Sequence, residues 1–251
     1  MIAPQTKGFA AFLKGGGSGI FVWVLVSCLI ISPAYARTLE DVRSSGVLSC
    51  GVSLDRPGFS VRDKEYRWTG FDVDICRAIA VAALGDARKV NFVALGDDER
   101  VVALQSGEID ILARGAAWTL SEEGANGLMF VTPTYVELKD NKTLILQGPV
   151  VRQGDDQWFQ LVRWVVFALI KAEEVGVTFA NVADKATDAT PEIKQFQADE
   201  QGLGAVPGWK TTLISAVGNY GEIFVRNFPT TKRGPNRLWR DGGVLMAPSF
   251  E

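Results

Sequence analysis

The sequence predicts an α/β fold with a mostly parallel sheet. Between residues 47 and 113, short apolar, β-branched runs alternate with helical runs, the pattern of strands joined by covering helices. The two longest helical runs there each end at a glycine, as helices often do. Strands that are joined through a helix pair in parallel, because the crossover returns the chain in the same direction.

The first half of the chain follows this alternation closely. The predicted elements are, in order, a helix at Thr38–Ser45, a strand at Val47–Ser53, a turn at Arg56–Gly58, a hairpin near Asp63–Lys64, a helix at Phe71–Leu84, a strand at Val90–Leu95, a helix at Asp98–Ser106 and a strand at Ile109–Ala113. The helix at 71–84 is the clearest, since its apolar residues recur at three- and four-residue steps. Its first turn carries Asp72 and Asp74, where the helix dipole favours negative charge.

The second half is more helical. The predicted elements are a strand-like piece at Lys142–Gln147, a helix at Asp155–Val175, two short helical segments within 176–210, a helix at Thr211–Arg226 interrupted at Gly218 and Gly221, and an irregular tail packed through Leu238, Trp239 and Leu245. The helix at 155–175 contains a long apolar run, but Arg163 interrupts it and it is short for a membrane span. We therefore expect a core helix.

The first 36 residues have the features of a secretory signal peptide. Lys7 and Lys14 give a positive start, residues 20–31 are apolar, and Ala34 to Ala36 fit a cleavage site. We expect cleavage after Ala36. Cys28 offers a second interpretation, as a lipoprotein cleavage site, although that cut would leave an apolar stub ahead of the fold. An uncleaved anchor is the third.

The amino-acid composition excludes several classes of function. Without the signal peptide the chain keeps 24 basic and 29 acidic residues, a net charge of −5, which gives no indication of nucleic-acid binding. There is no histidine, which excludes histidine-based acid–base catalysis and histidine metal sites. There is also no Cys-x-x-Cys motif. We expect neither an enzyme that uses a triad or a metal, nor a cofactor.

Two cysteines remain after cleavage. Cys50 lies on the first predicted strand and Cys76 on the helix that should pack against it. In an oxidising compartment such a pair can form a disulfide. The alternative is two small buried residues in one core, because free cysteine is commonly buried.

Five long motifs carry a family resemblance. The α/β region contains TGFDVDICRAIAVAALG and ALQSGEIDILARGAAWTLSEE, and later segments read VVRQGDDQWFQLVRW, VGNYGEIFVRN and NRLWRDGGVLMAP. These motifs resemble the periplasmic solute-binding proteins of general L-amino-acid ABC importers, over nearly all of residues 38–251. The resemblance implies a periplasmic location, a periplasmic-binding-protein type II-like lobe, an L-amino acid as ligand and an inner-membrane ABC permease as partner.

The sequence departs from that family in length. Family members continue from a stretch like Phe130–Tyr135 into a second lobe of roughly a hundred residues, an ordinary domain size. Here only a short segment lies before the next family motif, so we expect the second lobe to be largely absent. The expected division is a signal peptide (1–36), a first-lobe α/β domain (37–135), a short connector replacing the second lobe (136–150) and C-terminal helices completing the first lobe (151–251).

The resemblance also implies a ligand site. In the family an amino acid lies between the lobes, with its carboxylate held by an arginine and by donors of the loop that here spans 114–119. Open α/β sheets usually bind ligands at this carboxyl edge. The corresponding positions, in a degraded form, are Ser53, Arg56, Asp97, Arg114, Gly115, Ala117, Thr119 and Glu122.

Several of these positions carry unexpected residues. Relatives have a hydroxyl residue at the position of Ala117 and the carboxylate-binding arginine at the position of Glu122. A carboxylate there would repel the ligand carboxylate, at a cost of about 1 kcal/mol even in water. Relatives often carry an aspartate at Ser53 and aromatic residues at Arg56 and Asp97.

Three further side chains have competing interpretations. Arg114 is the nearest cation, but we favour a salt bridge to Glu122 or Glu123 over ligand contact. Phe59 and Trp68 are expected in the core of the lobe rather than against a ligand, because large aromatic side chains are mostly buried as part of a protein core.

Three function classes follow. The first is the binding component of an amino-acid ABC importer, with impaired ligand binding. The second is a degenerate, non-transporting module that binds a partner. The third is an enzyme, since some relatives of this fold dehydrate small carboxylic acids, but no pair of titratable groups is placed convincingly for catalysis.

Overall fold

The computed structural model describes residues 37–140, 142–198 and 202–250. The predicted signal peptide, its cleavage position and Cys28 lie outside these residues. Within the described ranges, no helix combines the length and apolar character needed to cross a membrane.

Helices and short strands alternate along the chain. The strands are β1 (Leu48–Val52), β2 (Asp55–Arg56), β3 (Ser60–Arg62), β4 (Trp68–Thr69), β5 (Val90–Ala94), β6 (Ile111–Leu112), β7 (Leu128–Phe130), β8 (Tyr135–Lys139), β9 (Thr143–Gln147) and β10 (Val150–Arg152). The helices are α1 (Thr38–Ser45), α2 (Phe71–Leu84), α3 (Arg100–Ser106), α4 (Leu120–Asn126), α5 (Asp156–Glu174), α6 (Val182–Lys185), α7 (Pro191–Gln197), α8 (Trp209–Val217) and α9 (Tyr220–Asn227).

The central sheet has the order β5-β1-β6-β10-β7. β1 runs parallel to β5 and to β6, whereas β10 is antiparallel to both of its neighbours, β6 and β7. Four of the five strands therefore share one direction. The predicted α/β class with a mostly parallel sheet is confirmed.

The sheet is covered on both faces. A large core joins one face to α1, α2, α5, α8 and α9, and a smaller core joins the other face to α3. Neighbouring residues alternate between them: Ile111 packs into the large core and Leu112 into the small one. This alternation follows from the two-residue period of a strand.

The predicted core helices are present. α2 has the predicted bounds and ends at Gly85, whose φ of 74° lies in the left-handed region. α5 is buried along its apolar stripe, which confirms it as a core helix. Its N-cap residue, Asp155, accepts hydrogen bonds from the backbone N–H groups of Trp158 (3.1 Å) and Thr38 (2.8 Å), so the same carboxylate holds α1 against α5.

The structure joins Cys50 to Cys76 by a disulfide bond. Cys50 lies on β1, an interior strand between β5 and β6, and Cys76 lies on α2, which packs on that strand. Both are fully buried. The bond therefore fastens the longest first-half helix to an interior strand of the sheet.

The segment after β7 contains more strands than the single strand-like piece that the sequence predicts. β8 and β9 form a hairpin, with Tyr135 opposite Gln147 and Lys139 opposite Thr143. β10 then re-enters the central sheet. β8 is short, and its outer edge is completed by the side chain of Asn236, a contact that the local sequence does not show.

The structure departs from the sequence-based expectations at three smaller points. α4 was not predicted, although Thr119 caps it by accepting from the N–H of Glu122. Trp239 was expected in the core but is 68% exposed. Gly218, with a φ of 82°, and Asn219 separate α8 from α9, whereas Gly221 lies inside α9.

Candidate ligand site

A cleft of about 370 Å³ lies at the carboxyl edge of the central sheet. Its residues come from the segments that follow β1, β5 and β6 and from the starts of α3 and α4. They are Ser53, Arg56, Asp97, Arg100, Arg114, Gly115, Ala116, Ala117, Thr119 and Glu122. The structure thus brings all eight sequence-predicted positions together and adds Arg100 and Ala116, which sequence reasoning missed. Their role as ligand contacts remains a prediction.

Arg114 reaches across the cleft to the segment after β5. It donates from Nη1 to Oδ1 of Asp97 (2.6 Å) and from Nε to Oγ of Ser53 (3.2 Å). Asp97 is 87% exposed on its side chain, while Arg114 is 15% exposed. The hydrogen bond from Arg114 and its charge lower the pKa of Asp97 below the ordinary value. The expected salt bridge from Arg114 to Glu122 or Glu123 is wrong, because Asp97 takes this guanidinium.

Glu122 is paired with Arg100 instead. Nη2 of Arg100 donates to Oε1 of Glu122 at 2.8 Å, and both side chains are largely buried. The other two atoms of this pair, Nη1 of Arg100 and Oε2 of Glu122, are buried and have no hydrogen-bond partner among the described residues. No sequence motif links positions 100 and 122. A largely buried carboxylate requires a cation nearby, and this requirement is the signal that could have indicated a partner such as Arg100.

Arg56 closes one end of the cleft with structural contacts. Its guanidinium lies over the ring of Phe59, 3.7 Å from the ring centre, and donates to the carbonyl of Arg114 (3.1 Å) and to Oε1 of Gln147 (2.9 Å). Gly115 has a φ of 61°, and a Cβ there would collide with the Arg56 guanidinium. Glycine at 115 therefore permits Arg56 to tie the β6 loop to β9.

The two aromatic residues beside the cleft are core residues, as expected. Phe59 and Trp68 are buried. The Phe59 ring packs edge-on against Tyr135 and Phe228, with ring centres 4.9 Å apart in each case. The face of the Phe59 ring is covered by the Arg56 guanidinium, so it is not offered to a ligand.

A buried acid lies within electrostatic reach of the cleft. Asp72, near the start of α2, is 4% exposed, and within the described part of the chain its Oδ2 has no hydrogen-bond partner. Burial raises its pKa to about 8, against the opposing charges of Arg56 and Arg114. At neutral pH this side chain is an uncharged acid. The cleft residues themselves comprise three arginines and two carboxylates, so the lining carries a small positive excess.

Known proteins match this chain in sequence. The pattern of the bacterial extracellular solute-binding proteins, family 3, matches residues 48–181. The General L-amino acid-binding periplasmic protein AapJ of Rhizobium johnstonii is 33% identical over 86% of this chain and 94% of its own length. The chain belongs to this solute-binding family. Another relative, the Glutamate/glutamine/aspartate/asparagine-binding protein BztA of Rhodobacter capsulatus, is 29% identical over 93% of this chain and 99% of its own length.

A solved structure confirms the fold. The ABC transporter periplasmic binding protein from Brucella ovis, with glutathione bound, superimposes with a TM-score of 0.81 at 29% identity, over 86% of this chain and 100% of that one. The alignment with AapJ runs over 319 positions but includes 86% of this 251-residue chain, about 216 residues. Roughly 100 positions therefore have no counterpart here, which is the size of the lobe that the sequence lacks.

Proposed function

We propose that this chain is a one-lobed periplasmic solute-binding protein that takes an L-amino acid weakly and works beside an inner-membrane ABC permease. The observation that carries the proposal is the cleft at the carboxyl edge of the sheet, where the family places its ligand. Since most of the second lobe is absent, we take this cleft to have one wall. Two-lobed binding proteins close around their ligand by a hinge motion. A one-walled cleft leaves more of a ligand in water than ligand pockets usually do.

Weak binding also follows from the contacts inside the cleft. Arg114 is engaged by Asp97, and Arg56 is engaged by a backbone carbonyl and by Gln147. A ligand carboxylate must displace Asp97 before it reaches Arg114. Ala117 supplies no hydroxyl donor. We expect no dissociation constant tighter than about 1 mM, or about −4 kcal/mol.

Calorimetry and thermal-shift measurements with the common amino acids test this expectation. Binding at millimolar to tens-of-millimolar concentration supports the proposal. A micromolar dissociation constant for any of them would show that one lobe is sufficient. Complete absence of binding would favour the second candidate, a degenerate, non-transporting module that binds a partner. The one-walled cleft also suits that candidate.

Export through the N-terminal segment belongs to the same proposal. The relative AapJ is named as a periplasmic protein, and residues 1–36 of this chain have the features of a signal peptide. Mass spectrometry of protein isolated from the periplasm should give Arg37 as the first residue. A chain that begins at a lipidated Cys28 would contradict cleavage after Ala36.

A further inference from the structure

We infer that the Arg100–Glu122 ion pair is the part of the cleft that recognises an amino acid, with Arg100 taking the ligand carboxylate and Glu122 its ammonium group. This inference rests on the proposed function and names the residues and the chemical requirement behind it. It also reverses the role that the sequence suggests for Glu122, from an obstacle to a receptor.

The pair has two unused atoms of opposite kind. A single hydrogen bond of 2.8 Å joins Nη2 of Arg100 to Oε1 of Glu122. Nη1 of Arg100 remains as a buried donor and Oε2 of Glu122 as a buried acceptor, and neither has a partner among the described residues. A buried polar group without a partner is costly, so a ligand group that completes it would stabilise it. Both atoms have almost no accessible surface, so the ligand reaches them only when the two side chains move apart. An α-amino acid carries an acceptor and a donor on one carbon and can serve both.

Charge balance gives the same answer. A zwitterion adds no net charge to a pair that is already neutral. A ligand with a carboxylate but no ammonium group would be attracted by Arg100 but repelled by the like charge of Glu122. A ligand with an ammonium group but no carboxylate would be attracted by Glu122 but repelled by Arg100. The pair therefore requires both groups on the ligand.

The second ion pair of the cleft is less suited to this task. Arg114 already donates from Nε to Ser53 and from Nη1 to Asp97 and the carbonyl of Gly96, so part of its guanidinium is engaged. Asp97 is almost fully exposed, and water competes there with any ligand. Neither residue has a buried atom without a partner.

The pair is also held in place by the fold. Arg100 is the first residue of α3, and Glu122 lies in the first turn of α4. The N–H of Glu122 donates to Oγ1 of Thr119, which fixes the backbone that carries the carboxylate. Binding groups on helices are positioned more firmly than groups on loops.

The experiment compares paired ligands by NMR titration of the ¹⁵N-labelled protein at constant ionic strength. Each of L-alanine and L-glutamine is tested beside its N-acetyl derivative, which keeps the carboxylate and removes the ammonium charge. We expect the free amino acids to bind at least about tenfold more tightly, because a lost charge-assisted hydrogen bond is worth that much or more. This comparison uses the wild-type protein and does not depend on a variant that folds.

Variants then assign the effect to the pair. Glu122→Gln should weaken both amino acids by about tenfold or more and should remove the preference over the N-acetyl forms. Glu123→Gln is the matched control, because it makes the same change of charge on the same helix outside the cleft lining. Its carboxylate accepts from the indole N–H of Trp118 (2.9 Å), a contact that glutamine can keep. We expect this control to bind like the wild type.

The outcomes separate the two proposals. If Glu122→Gln binds amino acids as tightly as the wild type, or more tightly, the role of Glu122 is overturned while weak receptor function stands. Equal binding of the free and N-acetyl forms by the wild type likewise overturns the ammonium contact. If the wild type binds no amino acid at tens of millimolar, both proposals fall.

Discussion

Two acids in the first turn of α2 show how burial decides the behaviour of a residue. The sequence assigns Asp72 and Asp74 the same favourable place near a helix N-terminus. In the structure Asp74 accepts from Arg77 (3.1 Å), Arg226 (2.7 Å) and Asn227 (3.0 Å). Asp72 is equally buried, but the buried Oδ2 of its carboxylate has no donor. The neutral form of Asp72 is therefore favoured, and its pKa rises to about 8.

Asp72→Asn should stabilise the protein at neutral pH and leave it unchanged in acid. The folded protein keeps the proton of Asp72 up to about pH 8, while the unfolded chain releases it near the ordinary value of 3.8. The unfolded state therefore binds fewer protons between these values, and stability falls as the pH rises through them. The variant escapes this loss, and its advantage near pH 7 should be on the order of 4 kcal/mol, since each pH unit between the two pKa values contributes about 1.4 kcal/mol.

Thermal unfolding of both proteins at several pH values checks this prediction. The difference in melting temperature should grow as the pH increases from acidic to neutral. Other carboxylates titrate in this range in both proteins, so the difference between the two curves isolates Asp72. Parallel curves would contradict the raised pKa.

At the scale of residues, the sequence predicted which residues line the cleft but not which of their side chains form ion pairs. The eight predicted positions converge because strand ends of a parallel sheet meet at one edge. Arg114 is paired with Asp97, and Glu122 with Arg100, which is distant from it in sequence. Side-chain partners across three loops cannot be inferred from spacing along one chain.

At the scale of elements, local pattern predicted most of the helices. α1 and α2 have the predicted bounds because an apolar period and a terminal glycine both mark them. β8 was missed because tertiary contacts define it: its outer edge pairs with the side chain of Asn236. That amide accepts from the N–H of Val136 (2.7 Å) and donates to its carbonyl (2.9 Å), in the manner of a neighbouring strand.

Replacing both Cys50 and Cys76 by alanine should destabilise the protein by about 3–4 kcal/mol. The disulfide closes a loop with a sequence separation of 26, and the loop-closure relation gives about that amount. Denaturant unfolding measures the loss. As a companion test, the wild-type protein unfolded without reductant should show no reactive thiols once residues 1–36 are removed. Two free thiols would contradict the disulfide.

For the whole molecule, family membership does not by itself imply a closing receptor. The chain shares sequence with its relatives over most of its length, yet about 100 aligned positions have no counterpart. In the structure a hairpin and one antiparallel strand connect β7 to α5. We propose that this segment stands in place of the second lobe, so that the cleft keeps a single wall.

A saturating amino acid should therefore leave the size of the protein unchanged. A compact domain of roughly 215 residues has a radius of gyration of about 17 Å. Hinge closure draws two lobes together and reduces that radius, but here there is no second lobe to move. Small-angle X-ray scattering of protein without residues 1–36, with and without tens of millimolar amino acid in matched buffer, should give equal radii. A smaller radius with ligand would mean that the hairpin region closes over the cleft, and a larger one that a second copy supplies the missing wall.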